Sequence, residues 1–468
     1  MILNDLAHGV IRRIEDAGDA VTSLFETDLR LGVTGLARSG KTVFITSLVA
    51  NLLERGRMPQ LVGAADGAIQ SAWLQPQPDD TVPRFDFERS LAALTGPEPF
   101  WPEPTASVSE LRLSFKVQPS GLLGAARGLR TVHLDVVDYP GEWLLDLTLL
   151  DRSYEDWSES VLERLRARPE ADGFLQRMNG LAPDAPFAEP DAQALAESYT
   201  EALRAMRAAG LSDITPGRFL MPGEMKGSPA LTFAPLPPGD APRRSLRREM
   251  RRRYDAYVDK VAKPFFREHF SRIDRQVVLV DALGAINAGP AAVEDLRRTM
   301  TDLLRAFRPG GNAFLSRLLR GRRVERILFA ATKADHIHHA QHARLTSLME
   351  ALVAEAKRRA SFSGARVSAM SIASVRATTE QRVDHKGKPL DVVRGKRLSD
   401  GREVATHPGE LPEDPSWLLD PARDGKEWLQ DYAVEGFAPA PMTLRPGEGP
   451  PHIRLDRAAE FLIGDALR

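Results

Sequence analysis

The run Gly35-Leu36-Ala37-Arg38-Ser39-Gly40-Lys41-Thr42 constrains this chain more than any other stretch. It fits the pattern G-x-x-x-x-G-K-[ST], whose glycines let a loop curl until its backbone N–H groups face a phosphate. Lys41 then reaches the β- and γ-phosphates, and Thr42 ligates Mg²⁺. The flanks agree with such a loop. Leu31–Thr34 reads as a short strand and Val43–Leu53 as a helix, whose N-terminus adds its partial positive charge at the phosphates. The predicted cradle is Gly35, Ser39, Gly40, Lys41 and Thr42.

Two further motifs follow in order. Thr131–Gly141 is an apolar strand that ends in D-x-x-G, at Asp138 and Gly141. In Ras-like GTPases that Asp touches Mg²⁺ through water and the Gly N–H senses the γ-phosphate. Val324–Asp335 is another apolar strand, ending in Thr332-Lys333-Ala334-Asp335. A carboxylate there can accept two hydrogen bonds from guanine, from N1–H and the exocyclic amine. Adenine offers no such pair and would leave the acid unpaired. The Lys333 stem would lie along the base, and Thr332, Lys333 and Asp335 are the expected base-side binding residues. The alternative is a polar strand end that caps the next helix.

With these residues, and with Val136–Trp143 and Ser371–Thr378, the chain resembles the YcjX-like family of bacterial P-loop proteins. The resemblance extends over nearly the whole chain. It implies an α/β P-loop NTPase fold: a Ras-like GTPase core with a large helical insertion and a C-terminal extension. It also implies bound guanine nucleotide, GTP or GDP, with Mg²⁺.

Composition limits the other possibilities. A chain of 468 residues is too long for one compact core. A formal net charge of -1 argues against a dedicated nucleic-acid binder. The absence of cysteine excludes disulfides and thiolate chemistry. The expected location is the cytoplasm, with a peripheral position at the inner membrane as an option set by an unknown protein partner.

Apolar residues from Leu3 to Leu24 recur at helical steps, so residues 1–28 are predicted to form an amphipathic helix. The first part of the core is placed at 29–149, with an irregular stretch from Arg57 to Thr105. Leu111–Val117 is expected to pair as a hairpin with the strand ending at Asp138. Asp138 and Lys333 are 195 positions apart, far more than a minimal Ras-like core uses. A mainly helical insertion is therefore placed at 150–274. The core resumes at 275–378. An extension at 379–468 carries a hairpin turning at Ser399-Asp400-Gly401 and a final helix, Leu455–Leu467.

The remaining candidates each keep two readings. Thr105 is the candidate switch hydroxyl for Mg²⁺, with Ser107 and Ser109 behind it, or else the end of a Pro-rich loop. Arg38 either leans over the β–γ bridge as an arginine finger or points to solvent. Glu142 stands where Ras-like proteins place a water-orienting Gln. It is either catalytic or a surface acid on a mobile loop, and slow hydrolysis is expected because a carboxylate repels the γ-phosphate. Ala373-Ser374 is expected to offer a backbone N–H to guanine O6, in a register open by two residues. His338 and His342 are spaced i, i+4, so one helical face could hold a metal. No Asp, Glu or Cys falls among His336, His338, His339 and His342 at ligand spacing, and the cluster reads as a solvated helix. Arg243–Arg253 and Arg317–Arg326 read as solvated basic faces, or as surfaces for acidic partners.

The function expected is a guanine-nucleotide switch with slow Mg²⁺-dependent GTP hydrolysis. The alternatives are an ATPase using Asp138 or Asp281 as its strand-end acid, a small-molecule kinase, and a nucleotide-binding scaffold without turnover.

Overall fold

The structure, a computed structural model, describes residues 26–468 apart from 37, 104–106, 120–127, 307–323, 355–356, 359–364 and 429–430. The helix expected over 1–28 therefore lies outside the described residues, apart from positions 26–28. Those three belong to a strand, β1 (Glu26–Gly35), which is longer than Leu31–Thr34 alone. Thr105 and most of the basic run Arg317–Arg326 also lie outside.

β1 joins β2 (Ile69–Gln75), β3 (Ser109–Val117), β4 (Arg130–Asp138), β5 (Arg275–Val280), β6 (Arg326–Ala331) and β7 (Arg366–Ser371) in one sheet. The order is β2-β3-β4-β1-β5-β6-β7. Only β3 runs against the others: its pairs with β2 and β4 are antiparallel, and every other pair is parallel. Ser109↔Asp138 through Val117↔Arg130 is the register of the β3–β4 pair. A seven-strand, mostly parallel sheet behind a phosphate-type loop is the architecture of a P-loop, Ras-like core.

The central strands are buried on both sides, so their sequences read as nearly continuous apolar runs. Alternation along each strand sorts the side chains into two layers. Leu31, Val33, Leu134, Val136, Leu279 and Leu328 face helix α1 (Lys41–Glu54) and a later helix, α8 (Leu455–Ile463), through Phe44, Leu48, Leu455 and Leu462. On the other face Val278, Val280 and Phe329 meet α6 (Pro290–Ala306) and α7 (His342–Leu352).

The segment 150–274 packs on that same second face. Its main helices are α3 (Tyr154–Leu165), α4 (Glu189–Ala208) and α5 (Leu246–Tyr257). They meet through a buried aromatic group in which Trp157 stacks on Tyr254 at 5.0 Å between centroids. Burying each such ring removes enough apolar area to favour the packed state by about 1.5–3 kcal/mol. The apolar cluster is continuous from the sheet into these helices.

The stretch from Arg57 to Thr105 is not irregular throughout. It contains β2 and a helix, α2 (Phe87–Thr95), whose first turn is capped by the Asp86 carboxylate accepting from the Arg89 N–H. β2 pairs on one side only, and most of its residues are half-buried or exposed, which erases the period-2 signal. Beyond the core, β8 (Thr379–His385), β9 (Lys388–Lys396) and β10 (Glu403–Thr406) form a separate antiparallel sheet. Gly401, at φ 71°, turns the chain between β9 and β10.

Candidate functional site

A cavity of about 430 Å³ opens beyond the C-terminal ends of the parallel strands, where open α/β sheets bind ligands. It is within the size range of small-molecule and cofactor sites. Gly35, Arg38, Ser39, Gly40, Lys41, Thr42, Gly141, Glu142, Thr332, Lys333, Asp335, Ala373 and Ser374 line it. Asp138 stands one contact behind Lys41. The three motifs, far apart in sequence, thus share one space.

The loop geometry follows from its glycines. Gly40 sits at φ 77°, a conformation that a residue with Cβ adopts at a cost, and it caps α1. A Cβ on Gly141 would fall 1.7 Å from the Gly35 carbonyl oxygen. Only glycine at that position allows the D-x-x-G loop to lie against the phosphate loop. Arg38 is also left-handed, at φ 62°, and exposed.

Lys41 Nζ stands 2.6 Å from Asp138 Oδ1 and donates to the Tyr139 carbonyl at 2.8 Å. Both Asp138 oxygens are buried and accept no hydrogen bond, so the ammonium balances their charge without satisfying their lone pairs. Such a carboxylate fits a Mg²⁺-bound water, and Lys41 is then free to turn to phosphate oxygens. Thr42 Oγ1 donates to the Glu103 carbonyl oxygen at 3.4 Å. The donor set therefore fits Mg²⁺ with a polyphosphate.

Asp335 is buried, and its Oδ2 accepts the Ala377 N–H at 2.9 Å. Lys333, at φ 59°, ties its ammonium to Asp281, whose Oδ1 accepts from the Gly284 N–H at 2.9 Å. Asp281 is thus engaged in a helix cap and an ion pair.

Three expectations are corrected. Ala373 cannot offer its N–H to a base, because it donates to the Ile453 carbonyl at 3.1 Å in an isolated bridge. Ser374 and Val375 line the cavity one and two residues further on. Glu142 is not a surface acid. It is buried under the 150–274 segment and pairs with Arg207 Nη2 of α4 at 2.8 Å. The four histidines do not form a solvated helix. His336 is buried edge-on against Phe437, at 5.1 Å, and His342 Nε2 contacts the Ala334 carbonyl at 2.8 Å. Burial pushes the pKa of both rings down.

The model of the YcjX-like family, DUF463, matches residues 29–467. The chain belongs to the YcjX-like family. Among its relatives, "Ras-like GTPase YcjX" of Escherichia coli strain K12 is 40% identical over 455 residues, covering 94% of this chain and 96% of that protein. "Ras-like GTPase YcjX" of Shewanella oneidensis is 36% identical over 470 residues, covering 94% of each.

Several residues of this YcjX-like site carried no local signal in the sequence. Arg207 lines the cavity from the last turn of a 20-residue amphipathic helix, where a basic residue reads simply as a partner for the helix dipole. Trp101 donates its Nε1–H to the Phe437 carbonyl at 2.8 Å, and both rings border the cavity. Met221 and Leu398 also border it. The stretch that follows Glu142 is fixed by the 150–274 segment as well. A Cβ on Gly217 would fall 1.9 Å from the Glu142 carbonyl oxygen. Asp146 accepts the Gly217 N–H at 2.8 Å and the Tyr257 hydroxyl. Burial pushes the Asp146 carboxyl up to about 6.

Proposed function

We propose that this protein binds GTP with Mg²⁺, hydrolyses it slowly, and acts as a nucleotide-dependent switch toward a protein partner. The observation that carries the guanine assignment is Asp335: a buried acid, fixed by the Ala377 N–H, on the wall of the cavity that also holds Lys41 and Thr42. The engagement of Asp281 with Lys333 and Gly284 supports Asp138 as the strand-end acid of the metal site. The names of the relatives support the same reading.

In this reading Gly35, Ser39, Gly40 and Lys41 hold the phosphates, Thr42 and Thr105 reach the metal directly, and Asp138 reaches it through water. When bound, Mg²⁺ neutralises charge on the β- and γ-phosphates. Lys41 leaves Asp138 and turns to the phosphate oxygens. The Gly141 N–H takes the γ-phosphate, and Ser374 lies at the base. Arg38 and Arg207 are the cations at hand for charge developing in the transition state, and Glu142 holds Arg207 in reserve. Without a glutamine in that position, water is oriented poorly and turnover is slow.

A shift at Gly141 and Glu142 moves the contacts that Glu142 makes to Arg207 and Gly217, so segment 150–274 reports nucleotide state to the partner. Titration calorimetry with GTP, GDP, ATP and XTP in Mg²⁺, on wild type and Asp335→Asn, tests the reading. A preference for GTP that moves toward XTP in the variant supports it. ATP binding that equals GTP binding and ignores the substitution overturns it. Binding without any phosphate release leaves the guanine assignment standing and favours a scaffold without turnover, for which Glu142 is the motivating residue.

A further inference from the structure

The loop after Asp335 meets the β8–β9 hairpin at four side chains that the nucleotide reading does not use. His338 and His339 come from the loop, Glu380 from β8 and Asp391 from β9. His339 Nδ1 lies 2.6 Å from Glu380 Oε2, and the His339 N–H donates to Glu380 Oε1 at 3.1 Å. His338 Nε2 lies 3.9 Å from the same Oε2. The two imidazole rings sit 4.3 Å apart between centroids.

We propose that His338, His339 and Glu380 form a binding site for a divalent transition-metal ion of the zinc type. One ligand atom from each lies within 4.8 Å of the others. Metal–nitrogen bonds of about 2.0–2.1 Å set tetrahedral ligand–ligand edges near 3.4 Å, so small side-chain rotations close the set. The His339–Glu380 contact is the one that must lengthen. His339 is two-thirds exposed and free to swing, which also leaves a fourth position for water.

Asp391 supplies the support such sites use. Its Oδ2 faces His338 Nδ1 at 3.8 Å and favours the tautomer that presents the Nε2 lone pair to the ion. The Ala340 N–H points at the same Nδ1 at 3.4 Å, so an ion at Nε2, which puts the ring proton on Nδ1, turns that nitrogen from Ala340 to Asp391. Arg376 contacts Glu380 through Oε1, at 3.6 Å, and so spares Oε2. Arg382 pairs with Asp391 at 2.7 Å and holds that carboxylate in place. Two neutral imidazoles and one carboxylate suit zinc, nickel or copper better than Mg²⁺, which takes oxygen ligands. Sequence reading missed the site because its acids lie more than forty positions beyond the histidines. An ion there would pin the hairpin to the loop that carries Asp335, independently of which nucleotide the cavity takes.

The test is titration of the chelator-treated full chain with zinc sulfate and, separately, cobalt sulfate, without nucleotide. Expected is one ion per chain with cobalt absorption typical of low coordination number. His338→Ala and Glu380→Gln should each weaken zinc at least tenfold, and Asp391→Asn about tenfold through ring orientation alone. His385→Ala, elsewhere on β8, should leave affinity unchanged. Each variant is checked by its thermal melt without metal. Binding that survives both His338→Ala and Glu380→Gln, or no stoichiometric binding by the wild type, overturns the proposal. If the alanine variant fails to fold, His338→Gln replaces it and is read by the same criterion.

Discussion

The phosphate side and the base side of the cavity are stabilised by different means. Around Lys41, charged side chains hold one another: the ammonium against Asp138, and Arg207 against Glu142. Around Asp335, the backbone holds the acid, and Lys333 is anchored to a helix-capping carboxylate. An ion pair can exchange one anion for another, so a phosphate can replace Asp138 beside Lys41 provided that a Mg²⁺-bound water takes over the Asp138 charge. A carboxylate clamped by an amide N–H cannot move without breaking its loop. Under the proposed function, recognition of the base is therefore prebuilt, while recognition of the phosphates requires partners to be exchanged.

The sharpest way to break this comparison is Lys41→Met. It should weaken triphosphate binding at least ~100-fold, since the charge–phosphate contact is lost. It should also destabilise the fold by about 3–5 kcal/mol, because Asp138 is left as an uncompensated buried charge. Adding Asp138→Asn should restore the melting temperature without restoring affinity. A melting temperature unchanged in the single variant would mean that the pair does not balance itself. Next in size is Asp335→Asn, expected to lower GTP affinity ~100-fold with little effect on stability, read by calorimetry.

Arg207→Ala should lower turnover about tenfold while the nucleotide dissociation constant stays within a few-fold, because the phosphate loop still binds. Glu142→Gln should raise turnover by releasing Arg207, and single-turnover phosphate release measures both. Equal loss of binding and turnover in Arg207→Ala would place Arg207 among the ground-state contacts.

The last effect concerns pH. Asp146 has its folded-state pKa raised to about 6 from 3.8, chiefly by burial. Its proton is held more tightly in the native state than in the unfolded one. The associated stability is full below pH ~4 and is lost as pH rises through about 6, amounting to ~3 kcal/mol at most. Urea midpoints at pH 5, 6.5 and 8 should fall with pH in wild type and flatten in Asp146→Asn. An unchanged slope would assign the titration to another group.

The phosphate loop, Asp138 and the Thr332–Asp335 turn were legible because each is a contiguous motif at the end of an apolar strand. β3, β4 and α1 were legible from their apolar patterning and their places beside the motifs. β2 and α2 were not, since an edge strand and a nine-residue helix bury too little to print a pattern, although Asp86 ahead of Phe87 was a usable capping signal. Arg207 and Phe437 reach the cavity from a distant helix and a distant loop, and only tertiary packing shows that. Ala373 was misassigned because no local rule reveals that Ile453 returns to take its N–H.

Helix α8 covers one face of the sheet with Leu455, Ala459 and Leu462, and receives hydrogen bonds from Arg275 and Arg326 at its C-terminal turns. Leu455 follows Ser371, the end of β7, by 84 positions. A ribosome adding roughly 5–20 residues per second needs about 4–17 s to cross that gap. For those seconds the nascent chain carries every strand of the sheet with part of one apolar face still wet. Messages that stop early, or ribosomes that stall between these points, therefore release an adhesive intermediate rather than a shortened but orderly protein.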